Sequence, residues 1–99
     1  MTAIEVLAEP NRRKILDLLR TRERPVGEIV TALDVSQPAI SKHLRVLREA
    51  GLVDVRPAAQ QRVYRVRPEG LRDLDEWLAP YRAMWADHLD TLEQVIGEQ

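Results

Sequence analysis

The sequence contains no cysteine and no phenylalanine. Without cysteine there can be no disulfide framework, thiolate nucleophile or Cys-based metal site. That fits a reducing compartment, and the expectation is a cytoplasmic protein. No apolar run approaches the ~20 residues needed to span a bilayer, so no membrane partner is expected. Met1 to Pro10 carries two Glu and no long apolar run, so no signal peptide is expected. There is no Gly-rich phosphate loop and no nucleophile–base pair at a workable spacing. Ser41 and His43 stand two apart and would point to different sides of a helix. The expectation is therefore no enzyme and no cofactor. Charge of one sign is also missing: 15 Lys and Arg face 16 Asp and Glu, a net −1. That excludes a histone-like protein that coats nucleic acid by bulk attraction. Aromatics are few, namely Tyr64, Trp77, Tyr81 and Trp85, and three of the four fall in the last quarter. That quarter is expected to do something separate.

What is present fits one domain. The chain has 99 residues, 44% hydrophobic and 31% charged, too apolar for a disordered tail and too short for a two-domain enzyme. The near-zero charge hides a segregation. Residues 10–67 hold 13 basic against six acidic residues, a net of +7. Residues 68–99 hold two basic against eight acidic ones, a net of −6, and residues 1–9 add −2. A +7 segment in a neutral chain suits a polyanion-facing surface. Merely solvated, Arg-rich helix faces would look the same.

Periodicity places the elements. Thr2 can cap a short helix holding Ile4, Leu7 and Ala8. Pro10 suits a first helical turn, and the next helix is predicted over 11–20 with Ile15, Leu16, Leu18 and Leu19 as its apolar stripe. Residues 21–25 read as a polar connector ending in a breaker. A short helix follows over 26–32. Asp34 and Val35 turn the chain, Ser36 caps a helix that runs to Ala50, and Gly51 closes it. Residues 52–56 and 62–66 read as strands of a hairpin, with 57–61 as its loop. Pro68 is expected to start another helix, Pro80 to break or kink it, and a last helix to run from Tyr81 to about Ile96. The order helix–helix–short helix–turn–helix–hairpin–helix is a mainly α, α+β winged helix-turn-helix. A single domain over 1–99 is expected: a reading core and wing over 10–67, and dimerisation helices over 68–99 with 1–9.

The Ser36–Ala50 helix carries the readable chemistry. At about 100° per residue, Ile40, Leu44 and Leu47 form its buried stripe, and Gln37, Pro38, Ser41, Lys42, Arg45 and Arg48 share the opposite face. From Gln37 to Arg48 that face holds no acid. Ser36, Gln37 and Ser41 are slim donors and acceptors suited to base edges; Gln can pair bidentately with adenine. Lys42, Arg45 and Arg48 suit phosphates. Ser36 and Gln37 also suit simple capping. His43 lies beside the core stripe and is expected to be structural, bonded to a backbone carbonyl. At the wing tip, Arg62 is expected to reach a minor groove or phosphate, and Gln60 and Gln61 are candidates beside it.

Three stretches carry a resemblance. Ser36-Gln37-Pro38-Ala39-Ile40-Ser41-Lys42-His43-Leu44, continuing to Val53, resembles the recognition-helix signature of the ArsR-type bacterial regulators. Glu9-Pro10-Asn11-Arg12-Arg13-Lys14-Ile15-Leu16 resembles that family's helix opening, with Glu9 for the usual Asp, and the Arg62–Val66 strand also fits. The resemblance implies a homodimeric transcriptional repressor on a double-stranded DNA operator containing an inverted repeat. It implies DNA contacts at Ser36, Gln37, Pro38, Ala39, Ser41, Lys42 and the wing tip. Two departures stand out. Residues 26–33, where arsenic sensors carry a Cys pair, hold no Cys, and the wing tip lacks the family's usual Gly. Zinc-type sensors place Asp, His, His and Glu on the last helix. Here Asp87, His88, Asp90 and Glu93 supply one His, a poor tetrahedral set. No metal site is expected, and the inducer is unknown.

The last helix is amphipathic. Tyr81, Met84, Trp85, His88, Leu89, Leu92, Val95 and Ile96 share one face, with Arg82, Asp87, Asp90, Glu93 and Gln94 opposite. Such a face needs a partner. A second copy is the economical one, giving a two-fold homodimer with Ile4 and Leu7 of the N-terminal helix alongside. The helix could instead fold back on its own domain, and Trp77, Tyr81 and Trp85 could line a small-ligand pocket. Other readings are a winged-helix module for protein–protein contact and a metal-responsive repressor using the C-terminal helix.

Overall fold

A computed structural model describes residues 1–97. Five helices are present: α1 (Ala3–Leu7), α2 (Pro10–Thr21), α3 (Val26–Leu33), α4 (Gln37–Glu49) and α5 (Arg72–Gly97). Three short strands, β1 (Arg24–Pro25), β2 (Val53–Ala58) and β3 (Gln61–Val66), form an antiparallel sheet in the order β1-β3-β2. This is the winged helix-turn-helix that the residue pattern predicts.

Three of the helices, α1, α2 and α4, start on a side-chain cap. Thr2 and Glu5 form a reciprocal capping box at α1. The Glu9 carboxylate accepts the Arg12 N–H ahead of Pro10, which opens α2. Ser36 Oγ accepts the Ala39 N–H at 3.4 Å and opens α4. Asp34 ends α3 in the left-handed region (φ 54°), its N–H bonded to the Val30 carbonyl at 2.9 Å. That one residue reverses the chain between α3 and α4. Gly51 (φ 75°) ends α4 and turns it into β2.

One core holds these elements. Val6, Ile15, Leu19, Ile29, Ile40, Leu44, Leu47, Leu52 and Val53 are buried together. All four helices α1–α4 and the root of the wing contribute, so α4 is anchored along its inner stripe and free along its outer one. No buried side-chain polar atom among the described residues lacks a partner.

The structure corrects the sequence reading at four places. Residues 21–25 are not only a connector: Arg24 pairs with Tyr64 and Pro25 with Val63, adding a third strand to the wing. Two residues are too short for a periodic signal, and Pro is tolerated because β1 is an edge strand. The hairpin loop is shorter than expected. Ala58 pairs with Gln61, leaving only Ala59 and Gln60 as the turn. Ala59 takes φ 57° at the first turn position, the place where a two-residue hairpin favours Gly. Pro68 opens a 3-10 turn (Pro68–Leu71) rather than an α-helix. There Gly70 packs so closely on the α4–β2 turn that an added Cβ would meet the Gly51 carbonyl oxygen at 2.1 Å. Lastly, Pro80 does not divide α5, which is one helix of 26 residues. Pro80 removes a single N–H from the ladder, and continuous helix on both sides tolerates that loss.

Candidate nucleic-acid interface

The side chains singled out on α4 share one surface. Ser36, Gln37, Pro38, Ser41, Lys42, Arg45 and Arg48 are exposed, and Ala39 is half-buried. The first acid along α4 is its final residue, Glu49. At the wing tip Gln60, Gln61 and Arg62 are exposed, with Arg62 paired opposite Pro57 across the hairpin. Slim polar groups therefore stand at the start of α4 and long cations toward its end.

Ion pairing sharpens the charge pattern. Several cations of the basic segment are neutralised within the chain. Arg22 bonds Glu28 at 2.8 Å, and Arg56 grips Glu23 with both Nε (3.0 Å) and Nη2. Arg65 and Arg67 lie 3.8 Å from Asp54. Hydrogen bonds from Arg56 and Arg22 hold the Glu23 and Glu28 carboxyls below their ordinary range, and the two guanidinium groups are correspondingly pushed up. Lys42, Arg45, Arg48 and Arg62, by contrast, enter no ion pair among the described residues. Unpaired charge therefore remains on α4 and the wing tip and, separately, on α2, where the exposed Arg13, Lys14 and Arg20 also enter no ion pair among the described residues.

Where the end of α4 meets the wing, a cleft of about 300 Å³ is lined by Arg48, Val55, Arg56, Pro57 and Arg62. From the sequence Arg56 is one of the wing arginines expected to hold phosphates, without being singled out. Its strand position gave no reason to prefer it over the other wing arginines; only the hairpin register brings it beside Arg48.

His43 is structural, as expected, but its partners are side chains. Its Nδ1 accepts from Arg12 Nε at 3.3 Å, and its Nε2 lies 3.7 Å from the Glu9 carboxylate. Arg12 also donates to the Val6 carbonyl at 3.1 Å. The Glu9-Pro10-Asn11-Arg12 segment and the recognition-helix signature thus meet in space, and together they clamp α4 to the α1–α2 corner.

A profile of the bacterial regulatory protein arsR family matches residues 9–55, the segment from the Glu9 cap to the start of the wing. The chain is 40% identical over 93 residues to the HTH-type transcriptional regulator Rv2034 of Mycobacterium tuberculosis, covering 90% of this chain and 87% of that one. The chain belongs to the ArsR family. The transcriptional repressor SdpR of Bacillus subtilis is also similar, 32% identical over 74 residues, covering 75% of this chain and 82% of its own. Among solved structures, a "possible transcriptional regulator for arsenical resistance" is 42% identical, with TM-score 0.73 and 93% of each chain covered. This ArsR-family protein is a DNA-binding transcriptional regulator that carries no Cys motif.

The terminal helices form a second surface. Ile4, Trp77, Tyr81, Met84, Trp85, Leu89, Leu92 and Ile96 are large apolar side chains exposed to solvent, and His88 is exposed among them. Leu7 differs: it is half-buried and packs on the chain's own core. The Val95 side chain lies outside the described residues. Trp77, read from the sequence as a possible pocket residue and not as part of the dimer face, is 53% exposed, and its ring sits 4.9 Å from that of Tyr81. A helix of 26 residues is about 39 Å long, and from Ala79 to Glu93 every residue is exposed. The helix does not fold back over the body. Among the described residues no three His, Asp or Glu side chains gather where they could hold a metal, and no helix is long and apolar enough to cross a membrane.

Proposed function

We propose that this ArsR-family regulator is a repressor that binds an inverted-repeat operator as a homodimer. The single observation that carries the DNA part is the outer face of α4, where Gln37 and Ser41 are exposed beside Lys42, Arg45 and Arg48, which enter no ion pair among the described residues. Ser36, Gln37 and Ser41 read base edges in the major groove, with Pro38 and Ala39 packing close to them. Lys42, Arg45 and Arg48 hold phosphates. Gln60, Gln61 and Arg62 of the wing reach the flanking groove. Occupation of a promoter then excludes polymerase.

The homodimer reading rests on the uncovered face of α5 and Ile4. Eight large apolar residues exposed on two terminal helices are more than a stable monomer leaves open. Two copies packed through Ile4, Tyr81, Met84, Trp85, His88, Leu89, Leu92 and Ile96 bury that face on both sides, with Leu7 at its margin and Val95 in the same register of the sequence. The chain then divides by role, with 10–67 reading DNA and 68–99 with 1–9 joining the protomers. A two-fold dimer presents its recognition helices to successive major grooves about 34 Å apart.

Selection of the operator from random duplexes, followed by gel shift, tests the reading. Gln37→Ala is expected to relax sequence preference, with ~1–3 kcal/mol less discrimination at one base pair. Arg48→Ala is expected to weaken binding to every sequence alike. Wild-type binding by both variants would overturn the placement. A winged domain serving only protein contact would show no steep loss of DNA affinity with salt.

A further inference from the structure

The cleft between the end of α4 and the wing has a built charge pattern that the recognition face alone does not explain. Three arginines from three segments line it: Arg48 from α4, Arg56 from β2 and Arg62 from β3. Arg48 and Arg62 have no acidic partner among the described residues, whereas Arg56 is held by Glu23. Glu23 lies just before β1, outside the wing hairpin, and reaches Arg56 through two parallel hydrogen bonds on the Nε–Nη2 edge. Such a fork fixes the guanidinium plane and leaves the Nη1 side toward Pro57, whose carbonyl it approaches at 3.4 Å. Pro57 itself lines the cleft. The pair is solvent-accessible, with side chains 46% and 35% exposed, so its geometry is not forced by burial.

We propose that this cleft seats one phosphodiester of the bound duplex, and that Glu23, by holding Arg56, sets how strongly the cleft grips it. The inference rests on the DNA-binding reading above and adds to it a phosphate seat and an acidic tuning residue. Three arginines lining one concavity offer a surplus of positive charge to a phosphate, and Arg suits the planar, bidentate contacts that phosphate oxygens offer. Glu23 competes for the same cation and adds a negative charge beside the path of the DNA backbone. Because phosphate carries no sequence information, the effect of Glu23 falls equally on operator and non-operator DNA. Glu23 therefore restrains sequence-independent binding without touching the base-reading residues.

The experiment is a salt titration of duplex affinity by fluorescence anisotropy, using the full chain with an operator and an unrelated duplex. Glu23→Gln is expected to raise affinity for both duplexes and to steepen the slope of log affinity against log salt by up to about 0.9, one added phosphate contact. Between 50 and 200 mM salt that is about a threefold further change. Arg56→Gln is expected to lower affinity for both duplexes and to flatten the slope. Glu28→Gln makes the same charge change and frees Arg22, which does not line the cleft; it is expected to leave the slope as in wild type. The proposal is overturned if Glu23→Gln and Arg56→Gln keep the wild-type slope, or if Glu28→Gln matches Glu23→Gln. A wild-type chain that binds no duplex would instead remove the DNA reading itself. All three side chains are at least a third exposed, so a retained cooperative thermal transition in each variant is the expected control.

Discussion

Trp85→Ala puts a number on the homodimer. Trp85 is 65% exposed in the single chain and contributes nothing to the core. A Trp side chain can bury up to ~250 Å², so ~150 Å² of it is open for a partner to cover. At ~25 cal/mol per Å², complete coverage would supply ~4 kcal/mol per protomer. Incomplete coverage and the area that Ala retains reduce the expected loss to ~2 kcal/mol per protomer. Each two-fold interface contains the residue twice, so the dimer loses ~4 kcal/mol, roughly three powers of ten in its dissociation constant. Sedimentation velocity over a concentration series reads this directly. Wild type is expected to sediment as a dimer at micromolar concentration and Trp85→Ala as a monomer. Far-UV circular dichroism is expected to stay close to wild type, because the α1–α4 core does not include the residue. Identical self-association of the two proteins would refute the assignment of this face. A wild-type monomer at micromolar concentration would refute the homodimer as a whole.

Other outcomes follow from single residues. Ala59→Gly relieves a left-handed φ of 57° at the wing turn and is expected to stabilise the protein by up to ~1 kcal/mol, read as a higher denaturation midpoint. Gly70→Ala forces a Cβ onto the Gly51 carbonyl, which is backbone and cannot swing aside. It is expected to cost ~1–3 kcal/mol in the same assay. The Glu23 and Glu28 carboxyls are held below their ordinary range by Arg56 and Arg22, so the folded protein binds fewer protons there than the unfolded chain. Their contribution is present above the ordinary carboxylate range and is lost as pH falls through the lowered values. Stability of Glu23→Gln is expected to fall less on acidification than that of wild type.

The recognition helix was legible because its signals are local. Ser36 as cap, the Ile40–Leu44–Leu47 stripe and Gly51 as terminator each act within a turn or two, and period and sterics dictate them. The apolar face of the last helix was legible for the same reason. What failed locally was whatever another segment controls. The strand at Arg24–Pro25 exists only because β3 lies beside it, and the 3-10 turn at Gly70 only because the α4–β2 corner approaches. Pro80 reads as a breaker in isolation, yet one missing N–H does not end a helix that continues on both sides. The wing tip shows both sides of the matter. The missing Gly was visible in the sequence, but that Ala59 occupies the strained position follows from the register of Ala58 with Gln61.

By itself the sequence determined the types of α1 to α4 and of the wing hairpin, the acid-free outer face of α4 from Gln37 to Arg48 and the opposed charges of the reading segment and the terminal helices. These depend on periodicity and composition, which neighbours in sequence set. Only the tertiary structure decided which cations remain unpaired. Glu23 meets Arg56 across 33 residues, and Arg12 meets His43 across 31. Such pairs depend on how helices and wing pack, and no local rule encodes them. The segment charge of +7 counts Arg56 and Arg62 alike; the fold ties Arg56 to a carboxylate, whereas Arg62 has no acidic partner among the described residues.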